Sequence, residues 1–173
     1  MAYLPYICAI VKEILRWRPA VPLGLTHVSN EDDVYEGYFL PKGISVIANV
    51  WELNHDPETY GPDSYEFNPA RYLDEKDQLI SGPPGTKDDG HFSFGFGRRV
   101  CIGKHVATNS LFIQIAMSLW ASTLTNVKDQ AIDVDAFLDE GLIMRPMPFQ
   151  VYIQPRFSEA TVLLAQECEL RGR

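Results

Sequence analysis

Residues 61–90, GPDSYEFNPARYLDEKDQLISGPPGTKDDG, keep neither helical nor strand periodicity and are rich in Pro, Gly and Asp. A stretch this long is uncommon as a structureless loop in a compact domain, so it is expected to be functional or wrapped around something. It runs directly into HFSFGFGRRVCIGKH (91–105), where one cysteine stands behind two glycines and two arginines, with a third glycine two residues further on. Such a loop could cradle a phosphate, ligate a metal, present a nucleophile or simply turn the chain.

Two of these uses fail on spacing. A P-loop needs Gly five residues before its Gly-Lys pair and Ser or Thr after it, but Arg98 and His105 hold those places. In the dinucleotide pattern the third glycine is replaced by Val100. A cysteine nucleophile needs a histidine base placed in space; His27, His55, His91 and His105 remain open for that role, though none sits in a recognised arrangement. Metal ligation by a lone thiolate suits the loop. A helix is expected over about 102–124, and its unpaired N–H groups and positive dipole end favour an anion at Cys101. Arg99 adds positive charge, glycines 95, 97 and 103 let a large flat ligand approach the backbone, and Phe94 could shield the sulfur. A thiolate so held suits an axial ligand to haem iron.

The rest of the chain reads as one globular domain without an internal linker. Hydrophobic residues are 46% and charged residues 22%, and the net charge of −8 argues against a nucleic-acid partner. Cys8, Cys101 and Cys168 are odd in number and form no CxxC pair, which argues against a disulfide framework and fits a reducing compartment. Residues 1–17 lack a basic leader and carry Lys12, Glu13 and Arg16, so they do not read as a secretory signal. They read instead as a helix over 3–17, ended by Pro19 and Pro22, apolar nearly all round and therefore buried, with Glu13 and Arg16 set into it. Residues 106–127 carry no charge, but the polar residues scattered among them indicate a core helix rather than a membrane span. The Pro41-Lys42-Gly43 turn predicts a hairpin of strands 38–40 and 44–48. Residues 51–61 read as a short helix or turn, Phe149, Val151 and Ile153 as a final hairpin strand, and 158–173 as a helical tail.

The spacing Phe94-x-x-Gly97-x-Arg99-x-Cys101-x-Gly103 matches the haem-binding signature of the cytochrome P450 family at every fixed position. Glu13-Ile14-Leu15-Arg16 resembles the family's ExxR helix motif, and Phe67-Asn68-Pro69-Ala70-Arg71-Tyr72 its PERF-type segment, with Asn and Ala at the second and fourth positions. All three stand in the family's order, and the likeness runs to the closing PMPFQVYIQPR. The wording PLGLTH…EDDVYEGYFLPKG resembles fungal secondary-metabolism members of the O-methylsterigmatocystin oxidoreductase kind.

The resemblance implies a mainly α fold with small β-sheets, the C-terminal part of the cytochrome P450 fold. In order, that is a Glu/Arg helix, a β-hairpin, an irregular meander, the cysteine haem loop, a long buried helix and a final β-hairpin, with residues 1–173 as one incomplete domain. It implies haem b (iron protoporphyrin IX) with Cys101 as its proximal thiolate, and Phe94, Gly97, Arg99, Gly103 and His27 around it, Arg99 and His27 toward the propionates. Glu13, Arg16 and Arg71 would form a structural triad, with the Arg71 fork bidentate on the Glu13 carboxylate. Ala20, Val21, Pro22, Leu23, Leu142 and Ile143 would line an apolar substrate pocket. The implied reaction inserts one oxygen atom from dioxygen into an apolar small molecule. Electrons would come from an NADPH-dependent reductase docking near Arg98, Lys104 and His105. Members carry a long N-terminal portion with a distal oxygen-activating helix and, in eukaryotes, an anchor to the cytosolic face of the endoplasmic reticulum membrane. Nothing in this chain matches that portion, so a fragment is expected, soluble if made alone and binding haem weakly or not at all. The alternatives are an inactive haem- or protein-binding module and, more remotely, a thiol enzyme using Cys101 as nucleophile.

Overall fold

The computed structural model describes residues 4–86, 88–128 and 130–171. The expected helix start at Tyr3 and the tail's Gly172 and Arg173 lie outside the described residues. The chain divides into two compact units, Met1–Ile102 with Asp139–Arg145, and Gly103–Leu138 with Pro146–Arg173.

The first unit is built on α1 (Pro5–Trp17), which opens with Pro at its first turn and closes where the Arg18 N–H bonds to the Ile14 carbonyl at 3.0 Å. Of its side chains, only Ala9, Val11, Glu13 and Arg16 are buried, and Tyr6 is 55% exposed. The expectation of a helix buried all round is therefore corrected. Within the unit α1 packs on α2 (Val50–His55) and on the 3-10 turn Pro69–Tyr72, which cover one face and leave the rest to solvent.

The expected hairpin is also corrected. β3 (Tyr38–Leu40) pairs antiparallel with β2 (Asp33–Tyr35), and β4 (Ser45–Val46) pairs with β1 (His27–Val28). The two-residue connection Glu36-Gly37 has positive φ at both positions, +49 and +85, which is the turn whose twist matches a two-stranded ribbon. Pro41-Lys42-Gly43 does form a turn, with the Ile44 N–H on the Pro41 carbonyl at 3.1 Å, but it passes the chain from one ribbon to the other.

Residues 51–61 resolve into α2 and α3 (Pro57–Tyr60), set end to end by two side-chain caps. Asn49 Oδ1 accepts from the Glu52 N–H at 3.2 Å, and Asp56 Oδ1 from the Glu58 N–H at 3.1 Å. The irregular segment that follows wraps onto this framework, as expected for its length. Its far end is fixed at Gly90, whose carbonyl accepts the hydroxyls of Tyr60 (3.2 Å) and Tyr72 (2.9 Å). Burial pushes both phenols well above their ordinary range, so they stay protonated donors. Gly90 has φ +78, and an added Cβ would lie 2.7 Å from Tyr72 Cε1. Replacing Gly90 by alanine should cost about 1–3 kcal/mol, read as a shift in the urea midpoint; an unchanged midpoint would show that Tyr72 can move aside.

The second unit opens on α4 (Lys104–Ala121), with Gly103 as N-cap. It ends before the expected residue 124, because Ser122 turns extended and starts β5 (Ser122–Asn126). The expectation of a core helix is corrected too. Among its described residues only Ala121 is buried, while Ile113, Met117 and Trp120 are 60%, 40% and 46% exposed, since this unit by itself holds no layer to cover them. No helix is long and apolar enough to cross a membrane among the described residues. β8 (Val151–Pro155) is the expected late strand, but its partner is β5, in the register Leu124↔Ile153, and not a neighbouring hairpin arm. β6 (Phe137–Asp139) and β7 (Met144–Pro146) lie where the chain passes between the units, and α5 (Ala160–Arg171) is the expected helical tail.

Candidate functional site

Glu13 and Arg16, three residues apart on α1, face the same way, and both are wholly out of solvent. Arg16 is bidentate on Glu13, Nε to Oε2 at 2.7 Å and Nη2 to Oε1 at 2.9 Å. Its remaining protons go to the carbonyls of Asn54 (2.7 Å), Ser64 (2.6 Å) and Glu66 (2.9 Å). Glu13 Oε1 also accepts the Asn68 N–H at 2.7 Å and Arg71 Nε at 3.2 Å. The structure thus brings Glu13, Arg16 and Arg71 together but exchanges the expected roles of the two arginines. Arg71 gives Glu13 one bond and turns its fork to Asp63, Nη1 to Oδ1 at 3.3 Å and Nη2 to Oδ2 at 3.1 Å, with Nη1 also on the Tyr60 carbonyl at 2.6 Å. The i, i+3 spacing on one helix gives Arg16 the shorter reach to the carboxylate, so the bidentate seat is filled locally. Asp63 is held below the usual carboxylate range, first by the Asn68 side-chain amide and then by Arg71.

Burying a charge pair is costly unless every remaining donor and acceptor is satisfied. Here three backbone carbonyls and one N–H from residues 54–68 do so. The cluster therefore holds the irregular segment on α1 through its backbone, which no spacing rule could show. Asn54, Asp63, Ser64 and Asn68 were not singled out from the sequence; the Asn-Pro of the PERF-like segment and the Asn-His-Asp-Pro run were the nearest signals.

His55 lies at the end of α2, fully buried between the rings of Trp51 (4.2 Å) and Tyr65 (4.9 Å). Its Nδ1 lies 2.8 Å from the Trp51 carbonyl, and its Nε2 has no hydrogen-bond partner among the described residues. Burial lowers the imidazole pKa, the Trp51 carbonyl and Glu52 oppose this, and Arg16 and Arg18 reinforce it. The folded chain thus binds this proton less readily than the unfolded chain. The stability His55 contributes is fully present above the unfolded value of about 6.5 and is lost as pH falls below it. Urea midpoints measured from pH 7.5 down to 5.5 should fall in the native chain and flatten in His55→Gln; parallel slopes would assign the dependence elsewhere.

The glycine-rich loop starts beside this cluster. The Cys101 N–H donates to the Phe94 carbonyl at 2.8 Å and the Gly95 N–H to the Phe92 carbonyl at 3.0 Å, folding residues 92–101 back on themselves. Gly95 (φ +74) and Gly97 (φ +55) take the left-handed backbone that side chains disfavour, and neither would meet another atom within 4 Å of an added Cβ. Arg98 and Arg99 ride on the 3-10 turn Gly97–Arg99, both exposed, and the Cys101 thiol is exposed. Phe94 is tied to Cys101 through its carbonyl, while its ring lies 5.2 Å from that of His91. Gly103 has an ordinary φ of −85 and belongs to the second unit, with Lys104 and His105 behind it. His27 is exposed on β1, opposite Val46. His55 and His91 are buried, and His91 Nδ1 accepts the Ser93 N–H at 3.1 Å, so neither ring is free to serve an exposed thiol as base.

The two stretches expected to line a substrate pocket meet within the first unit. The Met144 N–H donates to the Ala20 carbonyl at 2.8 Å, with the Gly24 N–H on Val21 and the Trp51 N–H on Pro22 fixing the first stretch. Leu23, Leu142 and Ile143 are 55%, 53% and 49% exposed, so this meeting point offers apolar surface.

A family model described as Cytochrome P450 matches residues 1–153. The chain belongs to the cytochrome P450 family. It is 55% identical over 175 residues to a cytochrome P450 monooxygenase of Armillaria gallica, covering 98% of this chain and 34% of that one. It is 47% identical to cytochrome P450 monooxygenase 253 of Postia placenta, with 94% and 32% covered. With cytochrome P450 monooxygenase drtD of Aspergillus calidoustus the identity is 43%, with 88% and 28% covered. The chain thus spans about a third of the length of these relatives. They are fungal, and none of the three is an O-methylsterigmatocystin oxidoreductase by name.

The family implies a haem-type cofactor, and the loop of this P450 chain fits one. The Cys101 thiol stands exposed at the end of the loop, open to a metal that arrives with its other ligands already in place. Glycines 95 and 97 leave the backbone open to a flat group, and Arg99 stands exposed two residues from Cys101.

Proposed function

We propose that this chain forms the proximal side of a haem-thiolate monooxygenase site, with Cys101 as the protein ligand to the iron of haem b. The observation that carries this is the exposed Cys101 thiol on a glycine-opened, internally hydrogen-bonded loop in a chain of the P450 family. Haem, when bound, would supply an iron centre suited to activating dioxygen, with Cys101 as its thiolate donor. The chain's residues do the rest of what falls to this side. Cys101 holds the metal and Gly95 and Gly97 admit the ring, while Arg99 and His27 pair with its carboxylates. Leu23, Leu142 and Ile143 offer apolar contact to an apolar small molecule; the reaction would place one oxygen atom of dioxygen in it and reduce the other to water with two electrons from the reductase and two protons. Arg98, exposed on the loop beside Cys101, supplies positive charge for an acidic, NADPH-dependent reductase. In the longer relatives' setting this would take place at the cytosolic face of the endoplasmic reticulum membrane.

The test is to saturate the chain with haem and record the spectrum of its reduced, carbon-monoxide-bound form. Because the chain by itself is expected to hold haem weakly, a thiolate-type Soret band is expected only at high haem concentration, and no band of that type at any haem concentration would overturn the reading of Cys101 as ligand. Haem held without reductase-driven oxygen consumption would mark a binding module in place of a monooxygenase.

A further inference from the structure

Beside the charge cluster, a second and uncharged set of hydrogen bonds reaches the cysteine loop. Asn54 is wholly buried at the penultimate position of α2. Its Oδ1 accepts the Phe92 N–H at 2.8 Å, and its Nδ2 donates to Ser93 Oγ at 2.9 Å. Ser93 has one hydroxyl proton and gives it to the Leu15 carbonyl at 2.6 Å. That carbonyl lies in the last turn of α1, where it has no partner along the helix. The Asn54 carbonyl in turn accepts from Arg16, the residue after Leu15. The bonds close a ring from Arg16 to Asn54, Ser93 and Leu15, and so back to Arg16.

We propose that Ser93 and Asn54 are positioning residues for the Cys101 loop, acting as a directional relay that docks the loop onto the turn of α1 carrying Glu13 and Arg16. This rests on the reading of Cys101 as the haem ligand for its consequence, though not for its geometry. The relay has a fixed polarity. The Asn54 amide can only donate to Ser93 and the Leu15 carbonyl can only accept, so the middle position needs a group that does both at once. A hydroxyl does so; alanine leaves a buried amide donor and a helix-end carbonyl without partners. The loop then keeps only the Phe92 N–H bond to Asn54 and its own turn bonds, and loses its tie to α1, so Cys101 moves with whatever position residues 92–94 take up.

The expected effects are read on the full chain in two ways. In the haem-free chain, Ser93→Ala should speed hydrogen exchange at the Phe92 and Cys101 amides ~10-fold, the factor that follows from losing one net hydrogen bond. In the haem-saturated chain the same variant should lower the thiolate-type share of the carbon-monoxide spectrum in favour of the neutral-thiol type. Ser93→Thr keeps the hydroxyl and should restore both. Unchanged exchange in Ser93→Ala, or equal damage in Ser93→Ala and Ser93→Thr, overturns the relay. Should Ser93→Ala not fold, the unsubstituted chain still decides: the Phe92 amide should open together with the Arg18 amide at the end of α1, and opening ~10-fold faster would show that the loop is not docked there. Absence of any thiolate-type band in the unsubstituted chain would sink the haem reading alone, and the exchange measurements would still judge the relay.

Discussion

Replacing Glu13 by alanine should unfold the first unit or bring it to the edge of unfolding. The substitution removes both oxygens that face Arg16, at 2.7 and 2.9 Å, and also frees Arg71 Nε and the Asn68 N–H. Arg16 has no exposed surface, so its guanidinium charge is left uncompensated in the interior. Breaking one side of a buried pair in this way costs about 3–5 kcal/mol, against a total stability of about 5–15 kcal/mol for an ordinary domain. The three carbonyls on Arg16 soften the loss but carry no charge. Trp17 and Trp51 both lie beside the cluster, so a urea titration followed by tryptophan fluorescence reads the change. A loss below about 1 kcal/mol would mean that the carbonyl cradle alone suffices for Arg16. Arg71→Ala should cost less. It gives Glu13 a single bond, and its other charged partner, Asp63, lies nearer solvent and can rehydrate, although the Tyr60 carbonyl also loses its donor.

Replacing Cys101 by serine should abolish the thiolate-type spectrum while leaving stability nearly untouched. The side chain is exposed, and the loop is closed at this position by the backbone N–H on Phe94, which serine keeps. A surface substitution of this kind is ordinarily within about 0.5 kcal/mol. A serine hydroxyl at neutral pH is not an anion and is a poor ligand for this iron, so affinity for haem should fall by an order of magnitude or more, in line with the ~10–100-fold cost of disturbing a metal site's protein partners. The two substitutions separate the roles of the two motifs: Glu13→Ala should show in the urea titration and Cys101→Ser in the spectrum. If Cys101→Ser kept the thiolate-type band, the ligand would have to be Cys8 or Cys168.

Much of the site was legible in advance because its chemistry is local. The helix carrying Glu13 and Arg16, the glycines at 95 and 97 and the lone cysteine among them each sit within one turn or one loop. There, spacing decides geometry. What sequence reasoning misjudged was partnership. The Pro41-Lys42-Gly43 turn predicts strand 38–40 as its own arm, yet the Glu36-Gly37 turn twists the right way and takes it. Asn54, Ser93 and Asp63 escaped notice because nothing in a polar residue's neighbours along the chain tells which carbonyl, 30 or more residues away, will need its proton. Helices α1 and α4 were both read as buried, since apolar residues all round imply a cover, but periodicity cannot say whether the cover is at hand.

Residue types at fixed short spacings already pointed to the family, singled out Cys101 as the candidate thiol ligand and named the three members of the buried charge cluster. The tertiary structure alone decided which arginine is bidentate, which strands pair, and that the cysteine loop is docked through Ser93 and Asn54 onto the end of α1. Those outcomes turn on donors and acceptors from distant segments competing for one another in a space without water, where each must find a partner and only the folded chain sets which one is within reach.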